Sequence, residues 1–268
     1  MMGDAMSDIS NAMTKLEIRL ELKDFQELGV TPWFSYTTSL PERPLPSLSE
    51  RPHFKTERLL IRPIVKDDLE SFYELRQITE TQEHSKIRGR PDRSKEETAQ
   101  YIEALAENED NHWYFGAFLL STGEMIGEGG LPDCAIMSTS NSGWPEAEFL
   151  VKPQYWRQGY GTEMFHAIID SWWDLPREWR RLQLIPALNP GVDAGSDVPE
   201  CLVYQWEERN ERARDFFAHV LDQAPAAAEG VFESCDTREG REGEVVKWAG
   251  TLAVNPRPPP RDVDSEAE

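Results

Sequence analysis

The stretch Lys152-Pro153-Gln154-Tyr155-Trp156-Arg157-Gln158-Gly159-Tyr160-Gly161-Thr162-Glu163 constrains this chain more than any other. An apolar run, Phe149-Leu150-Val151, precedes it and reads as a strand. Met164, Phe165, Ile168, Ile169, Trp172 and Trp173 follow at helical spacing. Two glycines one residue apart at a strand-to-helix junction expose consecutive backbone N–H groups with no Cβ in the way. The first N–H groups of a helix lack internal acceptors, and the helix dipole adds positive charge behind them, so the junction suits a phosphate or pyrophosphate. Such a glycine pair also fits plain strand termination. The length of the helix and the lack of an acidic cap favour the ligand.

The 268 residues are 39% hydrophobic, enough for a globular core, and carry a net charge of −21. Residues 1–50 contribute −4 and residues 251–268 −2, so most of the acidity belongs to the folded part. That balance argues against nucleic-acid binding through a basic surface and would attract a cationic substrate; it serves solubility equally well. No apolar run approaches the roughly 20 residues of a membrane span, and no signal-peptide pattern opens the chain, so no membrane role is expected. Cys134, Cys201 and Cys235 are far apart and without metal-ligand spacing. Reduced thiols in a cytoplasmic or nuclear setting, with no metal, are the expectation.

Along the chain, residues 1–52 read as an N-terminal extension. Leu16, Ile18, Leu20 and Leu22 alternate as in a strand over 15–22, and a linker punctuated by Pro41, Pro44, Pro46 and Pro52 follows. Residues 53–252 form one continuous α/β pattern. It opens with a strand over 59–64 and a helix capped by Asp67. A second helix starts from the Ser94/Glu97 capping box, and a hairpin spans 113–131. A strand over 146–151 leads to the long helix. Strands over 181–185 and 202–206, a helix from Asn210 to about Leu221, and strands near 231–235 and 244–252 complete the pattern. Residues 186–200 look inserted. The tail 253–268, proline-rich and then acidic, reads as disordered.

This order of elements resembles the GNAT superfamily of acyl-CoA-dependent N-acetyltransferases, closest to its RimJ/RimL-like branch. Four stretches carry the resemblance: Thr56-Glu57-Arg58-Leu59-Leu60-Ile61-Arg62-Pro63, Gly123-Glu124-Met125-Ile126-Gly127 through Gly130-Leu131, Tyr155 to Glu163, and Asn210-Glu211-Arg212-Ala213. Trp156 stands where many relatives have Arg or Gln, as in that branch. The resemblance implies a mixed α+β fold with a central, mixed, mostly antiparallel twisted sheet of about seven strands flanked by helices. It implies acetyl-CoA as co-substrate. Its pyrophosphate would lie on the amides of Gln158, Gly159, Tyr160, Gly161 and Thr162, with Arg157 and Lys152 offsetting the acidic field. The backbone of Phe149, Leu150 and Val151 would meet pantetheine and the acetyl carbonyl, and Asn210 the pantetheine arm. Many relatives have a tyrosine proton donor seven residues after that asparagine; here the position is Phe217, and Ala213 replaces the usual serine.

Acetyl transfer needs an amine with a free lone pair. Deprotonating a lysine-like amine of pKa near 10.4 costs about 4–5 kcal/mol at neutral pH, against roughly 1 kcal/mol for an α-amine near 8. A carboxylate is the natural base. Glu146 and Glu148 share one face of the strand entering the loop. They are the catalytic candidates unless the strand start is simply solvated. Glu146 is preferred, because it resembles in position the glutamate seven residues before the strand-ending proline in relatives. His84, His112 and Trp113 are weaker candidates for the acceptor site, as packing serves such residues equally well. The acceptor is a primary amine, cationic by the charge argument: a protein N-terminus, a polyamine or a small molecule. A non-catalytic acyl-CoA-binding module remains the alternative, which the missing tyrosine permits.

Overall fold

The hairpin between residues 113 and 133 has both faces covered, and the rest of the molecule is arranged around it. A computed structural model of the chain describes residues 33–86, 88–134, 143–184, 193–221, 226–235 and 241–256, with 226–235 as backbone alone. The strand expected over 15–22, and the tail beyond residue 256, lie outside the described residues. The strands are β1 (Phe34–Pro41), β2 (Phe54–Lys55), β3 (Leu59–Arg62), β4 (Trp113–Leu119), β5 (Met125–Asp133), β6 (Glu146–Val151), β7 (Arg177–Leu184), β8 (Cys201–Glu207), β9 (Ala226–Cys235) and β10 (Val245–Val254). Between them come the helices α1 (Leu69–Arg76), α2 (Thr79–Gln82), α3 (Lys95–Glu107), α4 (Tyr160–Trp173) and α5 (Glu211–Leu221).

The main sheet has the order β2-β3-β4-β5-β6-β8-β10-β9. Its pairs are antiparallel except β6 with β8. This is the mixed, mostly antiparallel sheet expected, with the two-residue β2 as an added edge. Every residue of β4 is buried, because its two faces meet different helices. Trp113, Phe115 and Ala117 belong to a core with Met164, Phe165, Ile168 and Trp172 of α4. Tyr114 and Phe118 pack with Phe72, Leu75 and Ile102 of α1 and α3. All six residues of the stripe on α4 are buried. Burial of such side chains stabilises by about 1.5–3 kcal/mol each, so packing rather than intrinsic propensity holds the start of α4 in place.

Strands β1 and β7 pair antiparallel over eight positions outside the main sheet. Strand β1 falls in the segment expected as an extension, and β7 starts at Arg177 instead of 181. Both are strands because they pair with each other, and Arg177-Glu178-Trp179-Arg180-Arg181 alone has little strand signal. Asn255, expected in the disordered tail, is buried: its side-chain amide donates to Glu200 Oε2 at 3.0 Å and its backbone N–H to the Glu200 carbonyl at 2.8 Å. Asp68, one residue beyond the expected Asp67, immediately precedes α1, and its carboxylate accepts the Val65 N–H at 2.9 Å. Ser94 caps α3, whereas the Glu97 carboxylate binds Arg90 and the Arg93 N–H.

Candidate functional site

Strands β6 and β8 pair only at Glu146 with Val203 and Ala147 with Tyr204, so the sheet opens from Glu148 onward. The ladder phase decides what faces the opening. The Lys152 N–H donates to the Ile126 carbonyl of the β5 side at 2.8 Å. Antiparallel strands send alternate residues' polar groups to the same neighbour, so Leu150 faces β5, while Phe149 and Val151 point their N–H and C=O groups into the opening. The Val151 carbonyl accepts Trp156 Nε1 at 2.6 Å.

The chain then makes a short turn at Pro153–Tyr155 and reverses into α4. Gly159 precedes the helix at φ 84°, and Arg157 also has positive φ, 59°. This left-handed pair curls the backbone so that successive N–H groups converge. Among the described residues, none of the amides from Arg157 to Thr162 makes a hydrogen bond of ordinary geometry, and no side chain caps α4. A Cβ on Gly161 would sit 3.2 Å from Phe216 Cε2, so the missing side chain lets α5 approach the loop.

Cations lie around this cradle. The Lys152 ammonium is not among them as expected, since it is buried and paired with Glu124 at 2.9 Å. Arg157 is exposed. Arg212, which sequence reasoning passed over, lies with its guanidinium 4.4 Å from the centre of the Trp156 ring. The Asn210 Oδ1 accepts the Ala213 N–H at 3.1 Å and caps α5, which leaves its side-chain N–H₂ without a partner among the described residues. Phe217 is core, packed on Tyr204 and Trp206.

Glu146 and Glu148 share the sheet face opposite α4, and their surroundings differ. The Glu146 carboxylate takes the Lys86 ammonium at 2.6 Å. Burial pushes its pKa up and Lys86 opposes that. Glu148 accepts the Lys86 backbone N–H at 3.2 Å and a hydrogen bond from the Ser85 side chain. Its pKa rises to about 7: burial is the main cause, the Ser85 bond opposes it, Glu128 and Glu146 add repulsion, and Arg76 acts against them. Glu128 lies diagonally across the ladder from Glu148 on the same face. It is fully buried at 3.4 Å from Arg76, which also binds Asp92 at 2.8 Å.

The turn carrying Ser85 and Lys86 therefore completes the carboxylate pocket, and no sequence motif marks it. The Lys86 ammonium also hydrogen-bonds Gln205 of β8. His84 lies 3.5 Å from both Glu83 and Glu207. His112 and Trp113 belong to the core instead. The His112 ring contacts the Leu105 carbonyl at 2.8 Å and Arg51 at 3.2 Å, and burial, with Arg51 adding to it, lowers its pKa to about 4. Trp113 Nε1 donates to Ser171.

No curated protein sequence matches the chain. Solved structures similar to it include a ribosomal-protein-S5-alanine acetyltransferase from Vibrio fischeri, at 15% identity and TM-score 0.54, covering 78% of this chain and all of that one. A GNAT-family acetyltransferase from Bacillus anthracis matches at 14% identity and TM-score 0.52, over 77% of this chain and all of that one. A GCN5-related N-acetyltransferase from Brucella melitensis matches at 12% identity and TM-score 0.51, over 81% and 82% of the two chains. At these identities the likeness is one of fold. The acetyltransferase (GNAT) domain family matches residues 58–220, which run from the start of β3 through the cradle to the end of α5 and make up more than half of the chain. The chain belongs to the GNAT family of N-acetyltransferases.

Proposed function

We propose that the chain moves an acetyl group from acetyl-CoA to a primary amine, an α-amine in preference to a lysine-like one, by direct attack in a ternary complex with Glu148 as the base. Membership of the family implies acetyl-CoA and an acetyl acceptor. The donor set fits that co-substrate: free amides from Arg157 to Thr162 for the pyrophosphate, with Arg157 and Arg212 beside them, and the Asn210 side-chain N–H₂ for the pantetheine amides. Acetyl-CoA supplies an activated acyl carbonyl. The N–H groups of Phe149 and Val151 face the open edge, where they can orient it and stabilise charge developing on its oxygen.

The observation that carries the reading is the place of the Glu148 carboxyl, held by the Lys86 backbone N–H where β6 leaves β8, with burial as the main cause raising its pKa to about 7. Taking the proton of an α-ammonium of pKa near 8 is uphill by about 1.4 kcal/mol, against roughly 4.6 kcal/mol for a lysine ammonium near 10.4. Glu146, already neutralised by Lys86, is the poorer base. The chain's charge of −21 adds attraction for a cationic acceptor, such as a basic peptide terminus. CoA release, measured with a panel of N-terminal peptides, polyamines and small amines, tests the reading. We expect peptides with free α-amines to turn over fastest. Acetyl-CoA binding with no product from any amine would refute it.

A further inference from the structure

Glu163 presents a difficulty at the cradle. It lies in the first turn of α4, where an unrestrained carboxylate would be drawn to the free amides and would repel an incoming phosphate. It is restrained from outside the loop. Arg58, in the turn between β2 and β3, binds it three ways: its backbone N–H donates to Glu163 Oε1 at 2.8 Å, and Nε and Nη2 contact Oε2 at 2.8 and 2.7 Å. The Thr56 hydroxyl donates to the same carboxylate. The remaining arm of the guanidinium, Nη1, donates to the Gln158 carbonyl at 2.9 Å, and its face lies 4.0 Å from the centre of the Tyr160 ring.

The bond to Gln158 has a geometric consequence. In a trans peptide the C=O and the following N–H point in opposite directions. With the Gln158 carbonyl drawn toward Arg58, the Gly159 N–H points away from Arg58, on the side a ligand would approach. Arg58 is also close to the apex of the loop: a Cβ on Gly159 would lie 3.2 Å from its Nη2. All three guanidinium nitrogens are engaged by the protein, so the side chain acts on the loop rather than on a phosphate.

We propose that Arg58 is a positioning residue for the phosphate subsite: it holds the Glu163 carboxylate out of the amide cradle and turns the Gly159 N–H into it. This rests on the reading that the cradle receives the pyrophosphate of CoA. The test is calorimetric binding of CoA and of 3′-dephospho-CoA, with steady-state kinetics, to wild type, R58M, R58K, E163Q and R58M/E163Q. R58M should weaken both ligands about 10- to 100-fold and raise KM for acetyl-CoA, with kcat at saturation within about threefold of wild type. E163Q alone should bind at least as tightly as wild type and, in the R58M background, recover most of the loss. R58K keeps the charge but not the fork, so it should fall between; it also serves as the test should R58M fail to fold. A penalty that vanishes with dephospho-CoA, or no recovery in the double variant, would overturn the proposal, the former by making Arg58 a direct 3′-phosphate ligand. Wild type that binds neither ligand would instead refute the cradle itself.

Discussion

Replacing Glu148 by glutamine removes the charge while keeping size and shape, and it has two separable consequences. The first is kinetic. A positioned general base contributes roughly 10²- to 10⁴-fold, so Glu148→Gln should lower kcat/KM for an α-amine peptide by that range at pH 8. In wild type the log of kcat/KM should bend near the pKa of about 7, and in the variant that bend should disappear. Because Glu146 and Glu128 interact with Glu148, the bend reports the titration of the group as a whole. The second consequence is on stability. The folded-state pKa of about 7 lies above the ordinary value of a glutamate, 4.5, so the folded state binds this proton more tightly than the unfolded chain. The resulting stabilisation is complete below about pH 4.5 and is lost as pH rises through about 7, a change on the order of 3 kcal/mol. The variant lacks this loss. Denaturant unfolding should find it at least as stable as wild type at pH 8, with a smaller change between pH 5 and pH 8. A kcat/KM within threefold of wild type at pH 8, with the bend near pH 7 intact, would refute Glu148 as the base. Glu146→Gln on the same axes should cost less than about tenfold, since its charge is already met by Lys86.

Gly159→Ala adds a Cβ at φ 84° beside Arg58; it should cost about 1–2 kcal/mol in stability by thermal unfolding and raise KM for acetyl-CoA more than it lowers kcat. Arg76→Ala leaves Glu128 buried without the cation that pairs with it, so urea unfolding should register a loss of about 3–5 kcal/mol. The Tyr204 hydroxyl is buried with no hydrogen-bond partner among the described residues, so Tyr204→Phe should leave Tm unchanged or raise it, by up to about 1 kcal/mol of stability; a clear drop in Tm would reveal a bond to that hydroxyl.

Local signals were enough for the elements that are continuous in sequence. The stripe from Met164 to Trp173, the hairpin from Trp113 and the cap at Asn210 each come from side chains within a few residues of one another, and each appears in the structure close to where the pattern put it. Strands β1 and β7 were missed or shortened because each gains its hydrogen bonds from a partner well over a hundred residues away. Lys152 was misjudged for a related reason: the glutamate that binds it, Glu124, lies on the preceding hairpin. The carboxylate pocket depends on the same kind of contact. Glu146 and Glu148 are equivalent by alternation, and only the turn at Ser85 and Lys86, which follows α2, separates a carboxylate paired with an ammonium from one met by a backbone N–H.

The sequence by itself determined that a strand must end in a glycine-opened loop and a buried helix, because strand alternation, helical spacing and the conformational freedom of glycine act over a handful of residues. That loop is one of four stretches that carry the likeness to the family, and membership of the family implies acetyl-CoA. The tertiary structure decided which groups are free to act. The ladder phase turned Phe149 and Val151 toward the opening and Leu150 away from it, Arg58 took Glu163 out of the cradle, and Lys86 took Glu146. Hydrogen bonding and charge pairing are exclusive and act over a few ångströms, so which donor or carboxylate remains free depends on which distant segment the fold brings within reach.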